Sequence, residues 1–159
     1  MILKRGVTGF TAGDLSLERD WDEVRATFKK ASYTAVQAAG GRVIEWFDPD
    51  VTNLYPHMHV QVKGQKLYIF YNVMYDYVAF SSSKDLTNLQ FLDEPLLARV
   101  FTRPYEVLTV EQLQEPLRKQ KKGDGYILLN DNDLNEVELY YMDYFPAQTV
   151  GDLVFNYWD

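Results

Sequence analysis

The chain contains no cysteine. Disulfides and thiolate metal sites are thereby excluded, and the composition suits a reducing cytoplasm. Histidine is almost as scarce, with two in 159 residues, so imidazole chemistry has only His57 and His59 to draw on. No stretch approaches 18 uninterrupted apolar residues, and no membrane span is expected. The opening Met1-Ile-Leu-Lys-Arg-Gly has no long apolar region and no cleavage motif, so no export signal is expected. The Gly-x-Ser-x-Gly nucleophile elbow, the phosphate-binding Walker loop and the dinucleotide Gly motif are all missing. The last absence concerns charge of one sign: after Lys122 there is no Lys or Arg at all.

What remains is distributed unevenly. Met1 to Lys122 carries 16 basic and 15 acidic residues. The final 37 residues carry eight acidic ones, Asp124, Asp131, Asp133, Glu136, Glu138, Asp143, Asp152 and Asp159, and account for the whole formal charge of −7. They also hold eight aromatics: Tyr126, Tyr140, Tyr141, Tyr144, Phe145, Phe155, Tyr157 and Trp158. Such a field attracts cations and repels nucleic acid, and a pI near 4.8 argues the same way. Hydrophobic residues at 47% and charged residues at 25% are ordinary globular values. The length predicts a single domain, 1–159, burying roughly 70% of its unfolded surface.

Periodicity predicts an α+β fold, an antiparallel meander sheet with helices packed on it. Asp20 caps a helix to Ala39, with Glu23 in the capping-box position and Trp21, Val24, Phe28, Ala31, Ala35 and Ala38 as its apolar stripe; Gly40-Gly41 ends it. Strands are predicted at Arg42–Phe47, Pro56–Val62, Lys66–Tyr71 and Met74–Phe80, joined by short turns as in a meander. The last two are aromatic on both faces and are expected to be central. Asp93-Glu94-Pro95 opens a short helix, and Tyr105–Leu108 is a short strand. Thr109 caps a helix over Val110–Lys119, which Pro116 should kink or shorten. The basic cluster Arg118–Lys122 is then expected at that helix's C-terminus. Strands are predicted at Tyr126–Leu129 and Val137–Tyr141 around an acidic turn. Thr149 and Asp152 form a capping box for a terminal helix.

Three constellations invite chemistry. His57 and His59, two apart on a strand, point the same way, and Asp48 or Asp50 would complete a metal site, the basis for a small metal-dependent hydrolase. Two imidazoles without a third clear ligand also read as ordinary strand residues, and no metal, cofactor or catalytic residue is assigned. Asp131, Asp133 and Asn135 imitate the start of a calcium loop, but Glu136 replaces the required Gly and Met142 the terminal Glu, so that pattern fails. The acidic residues Asp131, Asp133, Glu136 and Glu138, with Tyr140, Tyr141 and Tyr144, form the expected partner-binding set. Exposed aromatics anchor interfaces, and carboxylates steer a cationic partner.

The ending Thr149-Val150-Gly151-Asp152-Leu153-Val154-Phe155-Asn156-Tyr157-Trp158-Asp159 resembles that of certain small bacterial immunity proteins, the cytoplasmic antidotes of polymorphic toxins. The resemblance extends loosely to Val43–Phe80. It implies a cytoplasmic, noncatalytic α+β protein, monomer or weak homodimer, that neutralises a toxin domain, often a nuclease. Nuclease clefts bind phosphate and are basic, so an acidic, Tyr-rich face would complement one. A self-associating adaptor, its aromatic face forming a homodimer, is the other reading.

Overall fold

A computed structural model describes residues 1–158; Asp159, the last residue of the terminal segment, lies outside them. The fold is α+β, as expected, and the chain is organised as two compact units, Arg19–Val110 and a discontinuous one made of Met1–Glu18 and Glu111–Asp159.

The continuous unit is a six-stranded, mostly antiparallel sheet. Strands β1 (Arg42–Phe47), β2 (His57–Val62), β3 (Gln65–Asn72), β4 (Tyr77–Ser81) and β5 (Phe91–Leu92) follow in chain order. Strand β6 (Glu106–Val107) lies parallel beside β4. The β2–β3 turn uses Lys63 and Gly64, both at positive φ. The expected fourth strand begins only at Tyr77, because Asp76 at φ 57° completes a turn. Alternation places Met58, Val60 and Val62 on one face, opposite Ile69, Leu67 and Gln65 of β3. The two helices α1 (Trp21–Ala38) and α2 (Pro95–Val100) complete the core on that face. Phe28 stacks on Tyr71 with ring centres 4.1 Å apart.

Asp20 caps α1 by accepting from the Glu23 N–H. The helix ends in a Schellman arrangement: Gly41 N–H bonds Val36 O, and Gly40 N–H, at φ 74°, bonds Gln37 O. The buried stripe is Phe28, Ser32, Ala35 and Val36, so the expected apolar face is corrected: Ala38 is exposed, and Ser32 and Val36 lie inside. Alternating 4-3-1 spacing centres the face on Ser32, which a purely apolar template passes over.

In the discontinuous unit two expectations are overturned. The helix after Thr109 is one turn, α3 (Val110–Leu113), ended by Pro116, whose ring and missing N–H cannot continue it. Its supposed basic C-terminus is instead strand β7 (Lys119–Lys122), paired with β8 (Gly125–Leu128) across a two-residue Gly123-Asp124 turn. The expected strand Val137–Tyr141 is helical: α4 spans Glu136–Tyr144. Finally α5 (Val150–Val154) carries the expected Thr149/Asp152 capping box. The N-terminal arm joins this unit by a parallel bridge, Leu3 N–H to Asp131 O and Asp133 N–H to Leu3 O.

Candidate functional site

The expected partner-binding residues gather on and before α4. Asn135 starts the helix. Its side-chain oxygen accepts from the Val137 and Glu138 N–H groups at 3.0 and 2.9 Å. Glu138 returns the bond to Asn135 N–H, completing a capping box. From that start, 3.6-residue periodicity sorts the side chains. Glu138 and Met142 point inward; Glu136, Tyr140, Asp143 and Tyr144 form an exposed stripe.

Glu138 therefore leaves the partner-binding set. It is fully buried. One carboxylate oxygen accepts from Gly6 N–H at 2.7 Å; the other accepts from the Thr8 N–H at 3.1 Å and the Thr8 hydroxyl at 2.5 Å. Asn135 Nδ2 donates to Glu138 at 3.0 Å and to Phe10 O at 2.8 Å. This carboxylate holds the N-terminal arm rather than a partner. Asp131, Asp133 and Glu136 are exposed, and none pairs with a Lys or Arg among the described residues. Three of the four expected carboxylates are thus exposed.

The tyrosines divide similarly. Tyr140 and Tyr144 are 63% and 65% exposed, their rings stacked with centres 6.3 Å apart. Tyr141 is half-buried, stacked on Phe10 at 4.6 Å. Phe145 stacks on the buried Trp158 at 6.1 Å and meets Tyr157 edge-on. Tyr140, Tyr141, Tyr144 and Phe145 line a recess of about 320 Å3.

Trp158 is held by the segment that precedes it. Asn156 Oδ1 accepts from the Trp158 N–H, while its Nδ2 donates to Thr8 O and Leu153 O, both at 2.9 Å. Val154 is fully buried. Within the terminal motif Val154, Asn156 and Trp158 therefore pack inward, and Tyr157 is exposed. No family model, curated protein or solved structure matches the chain.

The histidines sit in the continuous unit. His57 is 3% exposed and stacked between Phe47 and Phe70, with Nδ1 2.9 Å from Tyr55 O. Burial pushes its pKa down. His59 stacks on Tyr68 at 4.4 Å. The aspartates that would complete a metal site are engaged locally: Asp48 accepts from Trp46 Nε1, and Asp50 from Thr52 and Asn53. Among the described residues no group of three or more His, Asp or Glu is placed to hold a metal ion.

A second polar cluster, not foreseen from sequence, joins Arg19, Asp76 and Tyr71. Arg19 Nη1 donates to Val73 O at 2.6 Å and to Asp76 at 3.2 Å, and the Tyr71 hydroxyl donates to the same carboxylate. Burial first, then the bond to Asp76, raises the Tyr71 pKa far above its ordinary value. A further recess, lined by Asp22, Arg25, Ala26, Lys29, Trp46 and Asp48, balances its own charges.

Proposed function

We propose that the protein is a noncatalytic, cytoplasmic binding protein of the immunity class, which neutralises a toxin domain with a cationic active cleft. The observation that carries this reading is the outer stripe of α4. It presents Glu136, Tyr140, Asp143 and Tyr144 to solvent with no cation among them. Its background is acidic too: the discontinuous unit has 12 acidic and 6 basic residues, a net of −6, whereas the continuous unit has 11 and 10, a net of −1. Exposed tyrosines flanked by carboxylates combine two roles in association. The charges raise the encounter rate with a basic surface, and the rings supply area that is desolvated on contact. The resemblance of Thr149–Trp158 to immunity-protein endings points the same way. No helix among the described residues is long and apolar enough to cross a membrane.

The test starts from the genes beside this one: a toxin found encoded there is co-expressed with the protein, and association kinetics are then measured across a salt series. The parent should restore growth. Replacing Asp131, Asp133 and Glu136 by Asn, Asn and Gln should slow association and flatten its salt dependence, with dissociation changing less. Unchanged association would remove these carboxylates as the steering element. Failure to bind or protect, with a mass by light scattering that grows with concentration, would favour the self-associating adaptor.

A further inference from the structure

We propose that the recess on the outer side of α4 receives an arginine side chain of the partner, its guanidinium lying on the ring of Tyr140 or Tyr144 and paired with Glu136 or Asp143. This inference rests on the cation-binding reading above and names the group that is bound.

Helical geometry brings the parts together. Glu136 stands one turn before Tyr140, Tyr144 one turn after it, and Asp143 beside Tyr144 on the same exposed arc. Tyr140 and Tyr144 expose most of their surface, whereas Phe10, Tyr141 and Phe145 are partly buried and Trp158 is buried. The back of the recess is fixed: Phe145 rests on Trp158, Tyr141 on Phe10, and Tyr144 meets Phe145 edge-on at 4.9 Å. The walls are thus preorganised, and a ligand would order little beyond the two outer rings.

The chemistry of the walls selects the ligand. Aromatic faces are the negative ends of ring quadrupoles and attract cations. The charges on the same exposed arc of α4, Glu136 and Asp143, are carboxylates, within a unit of net charge −6. An anion is repelled here, and a neutral apolar ligand would leave the carboxylates unused. Between the two cationic side chains, flat rings favour arginine. The guanidinium is planar, more weakly hydrated than an ammonium, stacks on aromatic faces and forks to a carboxylate. Phosphate-binding clefts, the surfaces expected of a nuclease partner, present such arginines.

The probes are acetylated tri-arginine amide and tri-lysine amide, titrated at equal ionic strength while the backbone amide resonances of α4, and in the parent the ring resonances of Tyr140 and Tyr144, are followed by NMR. The expected result is saturable shifts of both rings with tri-arginine, at about 2–5-fold higher affinity than tri-lysine, the size of one exposed cation–π contact. The double variant Tyr140→Leu/Tyr144→Leu should lower tri-arginine affinity by a similar factor and tri-lysine affinity by less, since an ammonium gains less from a flat ring. Leucine keeps helix propensity at two exposed positions, so the fold should survive. Equal affinities for the two peptides, or equal losses in the variant, would overturn the arginine assignment while leaving a cation-binding face in place. Binding of neither peptide would overturn both.

Discussion

Glu138 offers the sharpest test of how this fold is held. Its side chain is 0% exposed and accepts from five donors: Gly6 N–H, Thr8 N–H, the Thr8 hydroxyl, Asn135 N–H and Asn135 Nδ2. A carboxylate suits the site because it is acceptor-only. In Glu138→Gln one oxygen becomes an NH2 group. If the amide nitrogen takes the place of the oxygen facing Thr8, the Thr8 N–H meets a donor. In the opposite orientation Gly6 and Asn135 do. At least one buried backbone N–H loses its acceptor, which costs about 1–3 kcal/mol. Glu138→Ala abandons all the donors and should cost more, about 2–6 kcal/mol for two or more unpaired N–H groups. For a chain of this size each kcal/mol lowers Tm by about 2–4 °C. Urea unfolding measures the total, and amide exchange at Gly6 and Thr8 measures the local effect. Both amides should be well protected in the parent and exchange much faster in Glu138→Ala. An alanine variant within about 0.5 kcal/mol of the parent, with those amides still protected, would refute the claim that this carboxylate holds the arm.

Three further outcomes follow from packing and burial. Trp158→Ala should lose about 3–5 kcal/mol by thermal or urea unfolding, since the ring is 2% exposed and closes the aromatic stack behind α4. His57, whose pKa burial lowers, resists protonation when folded. As pH falls below its unfolded value of about 6.5, the unfolded chain binds the proton first, so stability should fall by at most about 1.4 kcal/mol per pH unit from this residue. His57→Phe should show a shallower slope between pH 6.5 and 5, and coincident slopes would argue against the burial. The Ser32 hydroxyl is buried in α1 without a hydrogen-bond partner among the described residues, so Ser32→Ala should raise stability by about 1 kcal/mol, read as a higher urea midpoint.

The meander was legible because each of its signals is local. Two-residue periodicity, the Gly64 turn and the Asp20 cap lie within a few residues of the elements they specify. The Thr149/Asp152 capping box was legible for the same reason. Val137–Tyr141 misled because Val137, Leu139 and Tyr141 alternate as in a strand. The competing signal, Asn135 followed three residues later by Glu138, is a capping box and wins. Glu138 itself reads as a solvated charge, since its donors at Gly6 and Thr8 are 132 and 130 residues away. Strand β7 has no apolar alternation because the two-stranded sheet leaves Gln120, Lys121 and Lys122 exposed. Its one signal was Gly123-Asp124, a two-residue hairpin loop. Of the candidate site, residue types and location were readable; which tyrosines face outward depended on recognising a helix.

The discontinuous unit imposes an order on synthesis. Thr8 accepts its bond from Asn156, 148 residues later, so at about 5–20 residues per second a nascent chain waits roughly 7–30 s between making the two. The intervening sheet, Arg19–Val110, is complete long before that, and its hairpin contacts are local enough to close early. Through most of that interval the residues that bond the arm, Asp131, Asp133 and Glu138, are not yet made, and the arm bears two apolar side chains, Leu3 and Val7, that are fully buried in the finished fold. Chaperone capture of nascent chains should therefore concentrate on the first 18 residues. The α4 face, whose helix is anchored to that arm, is the last surface to become competent.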